Sequence, residues 1–162
     1  MSISFRYGVI LGVFLVIYGL IFRLLGQDAS SPLGWVFYLA LPVAVYAALT
    51  AYRRAGAQSY WRGATRGAVV TMIGAGIYAV YVFAFNAFID DTLIASVRET
   101  ALAELTPDAG AHEAQAEFIR LLTTAPGFAA SIFVQMMIVG SGAALVIAAF
   151  MRSGREASSA AA

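Results

Sequence analysis

Cysteine is absent from all 162 residues, which excludes a disulfide, a thiolate nucleophile and a cysteine metal site and leaves the redox compartment unread. Histidine occurs once, as His112. It lies outside every long apolar run, so histidine ligation of haem or chlorophyll within those runs is excluded. Charge is scarce, at 12% of residues, and no Asp, Glu, Lys or His sits near the middle of an apolar run, where such groups mark proton relays, ion pathways and coupled transporters. No serine, histidine and acid set can be assembled at one depth. The chain therefore reads as non-catalytic, with no cofactor. What is abundant is hydrophobicity: 61% of residues and a mean hydropathy of +0.81 leave too few polar groups to cover a soluble globule of this size. Composition does not change class along the chain, so a single membrane domain over residues 1–162 is expected.

Four apolar runs, about 7–25, 35–52, 67–89 and 127–151, each approach or exceed the ~20 residues that a helix needs to cross ~30 Å of hydrocarbon. Backbone groups in hydrocarbon must be satisfied within the segment, which favours helix, and an outer-membrane barrel would instead alternate polar and apolar residues. The expected fold is all-α, an integral membrane four-helix bundle. The first run is read as an anchor and not as a signal peptide, because its apolar core is long, Arg23 lies inside it and no small-residue cleavage site follows Leu25.

If the runs alternate across a bilayer, Arg6, Arg53, Arg54, Arg62, Arg66, Arg152 and Arg155 share one side, Arg98 and Arg120 the other, and Arg23 snorkels near the far end of the first run. The positive-inside rule then places both termini and the loop from Tyr52 to Gly67 of this multi-pass chain in the cytoplasm. Topology accounts for Arg53, Arg54, Arg62 and Arg66, and anionic lipid headgroups favour each basic side chain by roughly 1 kcal/mol near the surface. Nucleic acid is not an expected partner, since Tyr60 and Trp61 fit an interfacial aromatic belt as well as a stacking platform.

Along this loop, Tyr52 and Arg53 close the second run, Gly56 follows, then Ser59 and Tyr60, and Gly63, Ala64 and Gly67 open the third. This pattern resembles that of a bacterial membrane family catalogued as domain of unknown function 4199. The resemblance implies four spans, a short cytoplasmic loop and a long charged excursion between the third and fourth. Family members often carry lysines in the loop, where this chain has only arginine. The family has no established activity, so the resemblance implies a fold and no function.

The excursion, residues 90–126, carries seven carboxylates against two arginines. Leu93, Ile94, Val97, Ala101, Leu102 and Leu105 recur at helical spacing, predicting an amphipathic helix from about Asp91 to Leu105. Residues Thr106 to Gly110 break it, and a second helix is expected from about His112 to Thr123, with Phe118, Ile119 and Leu122 on one face. The result is an extracytoplasmic helical hairpin whose candidate interaction residues are Val97, Leu105, Phe118 and Leu122. Asp108, His112, Glu113 and Glu117 offer a metal only a sparse donor set, and no metal is expected.

Within the runs, Gln135, Tyr46 and Tyr78 are candidate polar contacts, joined by Asn86, Thr71, Ser141, Tyr18 and Tyr81. An amide in hydrocarbon needs a partner, and interhelical hydrogen bonds of this kind contribute about 0.6 kcal/mol on average. Gly8 and Gly12, Gly63 and Gly67, Gly74 and Gly76, and Gly140 with Ala144 and Ala148 allow close helix packing. Pro42 is expected to kink the second helix. Two functions fit these features. One is a small subunit or scaffold of a membrane assembly, or a homo-oligomer, with an acidic outer hairpin for docking. The other is a small carrier, or a binder of lipid or apolar solute, with a site near Pro42, Tyr46, Tyr78 and Gln135.

The topology is directly testable because no native cysteine interferes. Single cysteines at Ser59 and Ala109 are expected to label from opposite sides of oriented vesicles; labelling of both from one side would refute the alternation of four spans.

Overall fold

A computed structural model describes residues 2–25, 34–56, 59–105 and 112–159. Among these residues all regular structure is helical, in six α-helices: α1 (Ile3–Leu24), α2 (Trp35–Ala55), α3 (Tyr60–Phe88), α4 (Thr92–Ala103), α5 (His112–Leu122) and α6 (Ala125–Ser159). Four of them, α1, α2, α3 and the Ala125–Met151 part of α6, are long and apolar enough to cross a membrane. The hinge expected at Thr106 to Gly110 lies outside the described residues.

Helix ends depart from the apolar runs for a physical reason. Lipid compatibility sets the run, whereas backbone hydrogen bonding sets the helix, and the second continues past the first wherever no residue breaks it. Thus α3 begins at Tyr60, well before Gly67, and α6 continues beyond Met151. The start of α1 is fixed by Ser2, whose Oγ accepts from Phe5 N at 3.3 Å as an N-cap. Pro42 lies inside α2.

The chain forms two compact units: residues 1–78 with 135–162, and residues 79–134. In the first, glycines set the helix spacing. A Cβ on Gly8 would stand 2.7 Å from Ile73 Cβ, and one on Gly12 2.7 Å from Ile77 Cβ. Leu11, between them on α1, in turn fills the space over Gly74, where a Cβ would stand 2.6 Å from its Cδ2. Helices α1 and α3 therefore interlock, the glycines of each receiving the larger side chains of the other. Gly67 and Gly140 do the same between α3 and α6, against Ala144 and Thr71. Gly76 has nothing within 4 Å; two residues from Gly74 it sits on a different face of the helix, so the two glycines do not act as a pair. Leu15, Leu41, Val45, Ala48, Val70, Ala75 and Ala144 are wholly buried among these helices.

Only 22% to 28% of the residues in each candidate span are buried, so most of the apolar surface faces outward. Ile10, Ile17, Val80, Ile138 and Phe150 are all exposed. A water-soluble monomer does not present continuous apolar surface of this extent, whereas lipid tails are its natural solvent.

The interlock predicts opposite outcomes for two similar substitutions. Gly12→Ala should lower thermal stability in detergent by about 1–3 kcal/mol, the range for overpacking a tight contact, because Ile77 is branched at the contacting carbon. Gly76→Ala should leave the unfolding midpoint unchanged or slightly raised. Equal midpoints for the two variants would overturn the assignment.

Candidate functional site

Three polar arrangements stand out, two in the first unit and one in the second. At one end of the first unit, the first turn of α1 has backbone donors that no helical carbonyl can meet. Ser4 N donates to Tyr52 Oη at 3.0 Å, and Ser4 Oγ lies 2.9 Å from the same hydroxyl and 3.3 Å from the Arg66 carbonyl. One proton arrangement satisfies all three contacts. Tyr52 accepts from Ser4 N and donates its own proton to Ser4 Oγ, whose proton goes to the Arg66 carbonyl. The Arg66 guanidinium lies over the Tyr52 ring, 4.1 Å from its centroid, a cation–π contact of roughly 0.5–1 kcal/mol or more. Three helices are thus tied together by Ser4, Tyr52 and Arg66.

This divides the four loop arginines by role. Arg66 is half-buried and engaged with Tyr52, whereas Arg53, Arg54 and Arg62 are exposed. Nothing in the run of arginines distinguished Arg66. The usable signals were Ser4, a small polar residue just ahead of the first apolar run, and Tyr52 at the end of the next span.

Deeper in the first unit, aromatic rings from three helices stack in a ladder. Tyr18 of α1 stands edge-on to Phe37 of α2 with centroids 4.9 Å apart, and Phe37 meets Tyr78 of α3 at 5.5 Å. Phe14 and Phe22 extend the ladder along α1. Gln135 Nε2 donates to Tyr38 Oη at 2.9 Å. Of the intramembrane candidates, then, Gln135 pairs with a tyrosine that the sequence reading passed over, Tyr78 packs in the ladder, and Tyr46 is exposed on α2. Tyr38 follows Phe37 directly, and the signal for it was a tyrosine one turn into the second run.

In the second unit, Arg98 of α4 binds the end of α5. Its Nε donates to Thr123 Oγ1 at 2.9 Å and its Nη2 to the Thr123 carbonyl at 2.6 Å. Thr123 Oγ1 passes its own proton to the Ile119 carbonyl at 2.7 Å. A cation at a helix C-terminus meets the negative end of the helix dipole and its unpaired carbonyls. The next residue starts α6, because Thr124 Oγ1 accepts from Gly127 N at 3.2 Å and donates to the Leu121 carbonyl at 2.8 Å. Ile94 is buried in this unit. Arg98 is one helical turn from it on the same face, and an arginine on an apolar face was the signal missed.

Of the four apolar candidates of the excursion, Val97 and Phe118 are exposed and Leu105 and Leu122 half-buried. Glu99, Glu104, Glu113 and Glu117 are exposed. Asp108 and the His112 ring lie outside the described residues; among the described residues no three metal-binding side chains converge.

Architecture defines the class first: an all-helical chain with four helices fit to cross a membrane, the make-up of a multi-pass membrane protein. The chain belongs to the family described as Protein of unknown function (DUF4199), whose family model matches residues 6–153. No curated protein and no solved structure matches it.

Tyr52→Phe removes the hydroxyl on which Ser4 depends and should cost about 1–3 kcal/mol, the penalty for stranding a buried donor. Thermal unfolding in detergent reads the loss. Ser4→Ala in the Tyr52→Phe background should add less than it does alone, since the two side chains share one network; strict additivity would show that they act separately.

Proposed function

We propose that this protein is a non-catalytic small subunit or scaffold of an assembly in the bacterial inner membrane, with both termini cytoplasmic and α4 and α5 forming an acidic docking hairpin on the outer side. The observation that carries this reading is the Arg98 clamp on Thr123. It gives the α4–α5 pair a defined geometry, and around it Val97, Phe118 and Leu121 are exposed beside Glu99, Glu104, Glu113 and Glu117. An ordered surface that offers both apolar groups and carboxylates suits a protein partner with a basic rim. Phe118 is the natural anchor, being 60% exposed and aromatic.

Orientation in this proposal rests on the arginines. Exposed Arg53 and Arg54 end α2 and exposed Arg62 lies in the first turn of α3, as expected of a cytoplasmic face in contact with anionic headgroups. The absence of cysteine and the single histidine support a role without covalent or metal chemistry. The carrier reading draws less support, because Gln135 is engaged by Tyr38 and Tyr46 turns outward.

Replacing Thr92 to Thr124 with a flexible linker long enough to join α3 and α6 should abolish co-purification of any stoichiometric partner from native membranes in mild detergent, while insertion persists. Changing Arg53, Arg54 and Arg62 to lysine should leave that partner bound. Recovery of every partner by the linker variant refutes the docking hairpin, and loss on the lysine exchange alone moves the site to the cytoplasmic face.

A further inference from the structure

Gln135 is an amide on the exposed side of α6 that uses only part of its hydrogen-bonding capacity. Its Nε2 donates to Tyr38 Oη. Its second N–H, its carbonyl oxygen and the Tyr38 hydroxyl proton have no hydrogen bond among the described residues. Gln135 lies ten residues into the Ala125–Met151 span, about 15 Å from its start at ~1.5 Å per residue, and there lipid tails offer no donor or acceptor.

The same face of α6 carries Ile138, Gly142 and Leu145, at successive spacings of three, four and three residues from Gln135, and all are exposed. Ile138 is 69% accessible, and a Cβ built on Gly142 would meet nothing within 4 Å. Alternating three and four is the seam of a left-handed helix pair, and a glycine within such a seam lets a second backbone approach.

We propose that this stripe is a self-association seam, in which two copies of the chain pack α6 against α6 about a two-fold axis along the membrane normal, with Gln135 meeting Gln135. The chemistry selects a second copy. An amide carries both donor and acceptor and so complements itself, and a two-fold axis sets each seam residue beside its own counterpart. Copies with the same topology also match in depth without further design. The seam is independent of the outer docking hairpin and can be tested without it.

Because the chain lacks cysteine, Gly142→Cys and Leu145→Cys report the seam directly. Oxidation of the full chain in lipid vesicles should give a disulfide-linked dimer from each, since seam positions come within disulfide reach. Ile17→Cys, on the exposed side of α1, should stay monomeric. Energy-transfer dilution in the same vesicles should show self-association weakened roughly three- to twenty-fold by Gln135→Leu, the range for intramembrane hydrogen bonds. Gly142→Leu adds bulk only in open space, so it should weaken association at least as much while the monomer's melting is unchanged. Absence of a dimer from both seam cysteines, equal dimer from Ile17→Cys, or association unaltered by both Gln135→Leu and Gly142→Leu would overturn the proposal.

Discussion

A layer without water sets the terms for the polar groups within the four spans of this chain. In hydrocarbon an unmet donor has no solvent to fall back on, so the backbone must close its own bonds and side chains must return theirs to nearby carbonyls. Two buried polar residues of α3 obey this locally. Thr71 donates to the Gly67 carbonyl and Asn86 to the Val82 carbonyl, each one turn back along α3. Where a helix begins or ends, that internal route fails, and partners come from elsewhere in the chain: Tyr52 for the start of α1, Arg98 for the end of α5, Thr124 for the start of α6. The long-range contacts of Ser4, Arg98 and Gln135 are thus consequences of helix termini and of one isolated amide.

The same layer removes the hydrophobic effect as a force between spans, since lipid tails are as apolar as leucine. What remains is close packing, and the glycines make it possible. Gly8, Gly12 and Gly74 bring α1 and α3 near enough for Leu11, Ile73 and Ile77 to sink into the facing helix, and Gly67 and Gly140 do so for α3 and α6. Shape fit over a large number of weak contacts replaces the expulsion of water. This is why small residues in such a chain carry more structural information than large ones. A leucine on α1 is compatible with either lipid or a neighbour, whereas Gly12 marks a neighbour.

Much of this fold was legible because its strongest constraint, the length of an apolar run, is written continuously in sequence. The four spans and the two shorter helices between the third and fourth follow from run length and helical spacing. Gly8, Gly12, Gly67, Gly74 and Gly140 are contact positions as their spacing suggests, whereas Gly76, read with them, has nothing within 4 Å, because composition does not say which face of a helix has a neighbour. Side-chain partners were least legible. Gln135 announced a need for a hydrogen bond, but the choice of Tyr38 over Tyr46 or Tyr78 depends on helix rotation, which no local pattern encodes. The arginines show the same limit from the other direction: Arg66 and Arg62 look alike in a basic loop, yet one lies over an aromatic ring and the other is exposed.

The second unit shows what a long excursion can do that a short turn cannot. Helix α5 gives way to α6 after only Thr123 and Thr124, so the joint must meet the unpaired carbonyls of one helix and the unpaired N–H groups of the next within two residues. Thr124 serves both, donating to Leu121 and accepting from Gly127. Thr123 brings in Arg98 from α4, and a guanidinium with two donors on one residue fixes direction as well as distance. The start of α6 is therefore linked, through two threonines and one arginine, to the position of α4. Displacing α4 from α5 would break the two hydrogen bonds that Thr123 accepts from Arg98, a constraint that a flexible connection of the same length lacks.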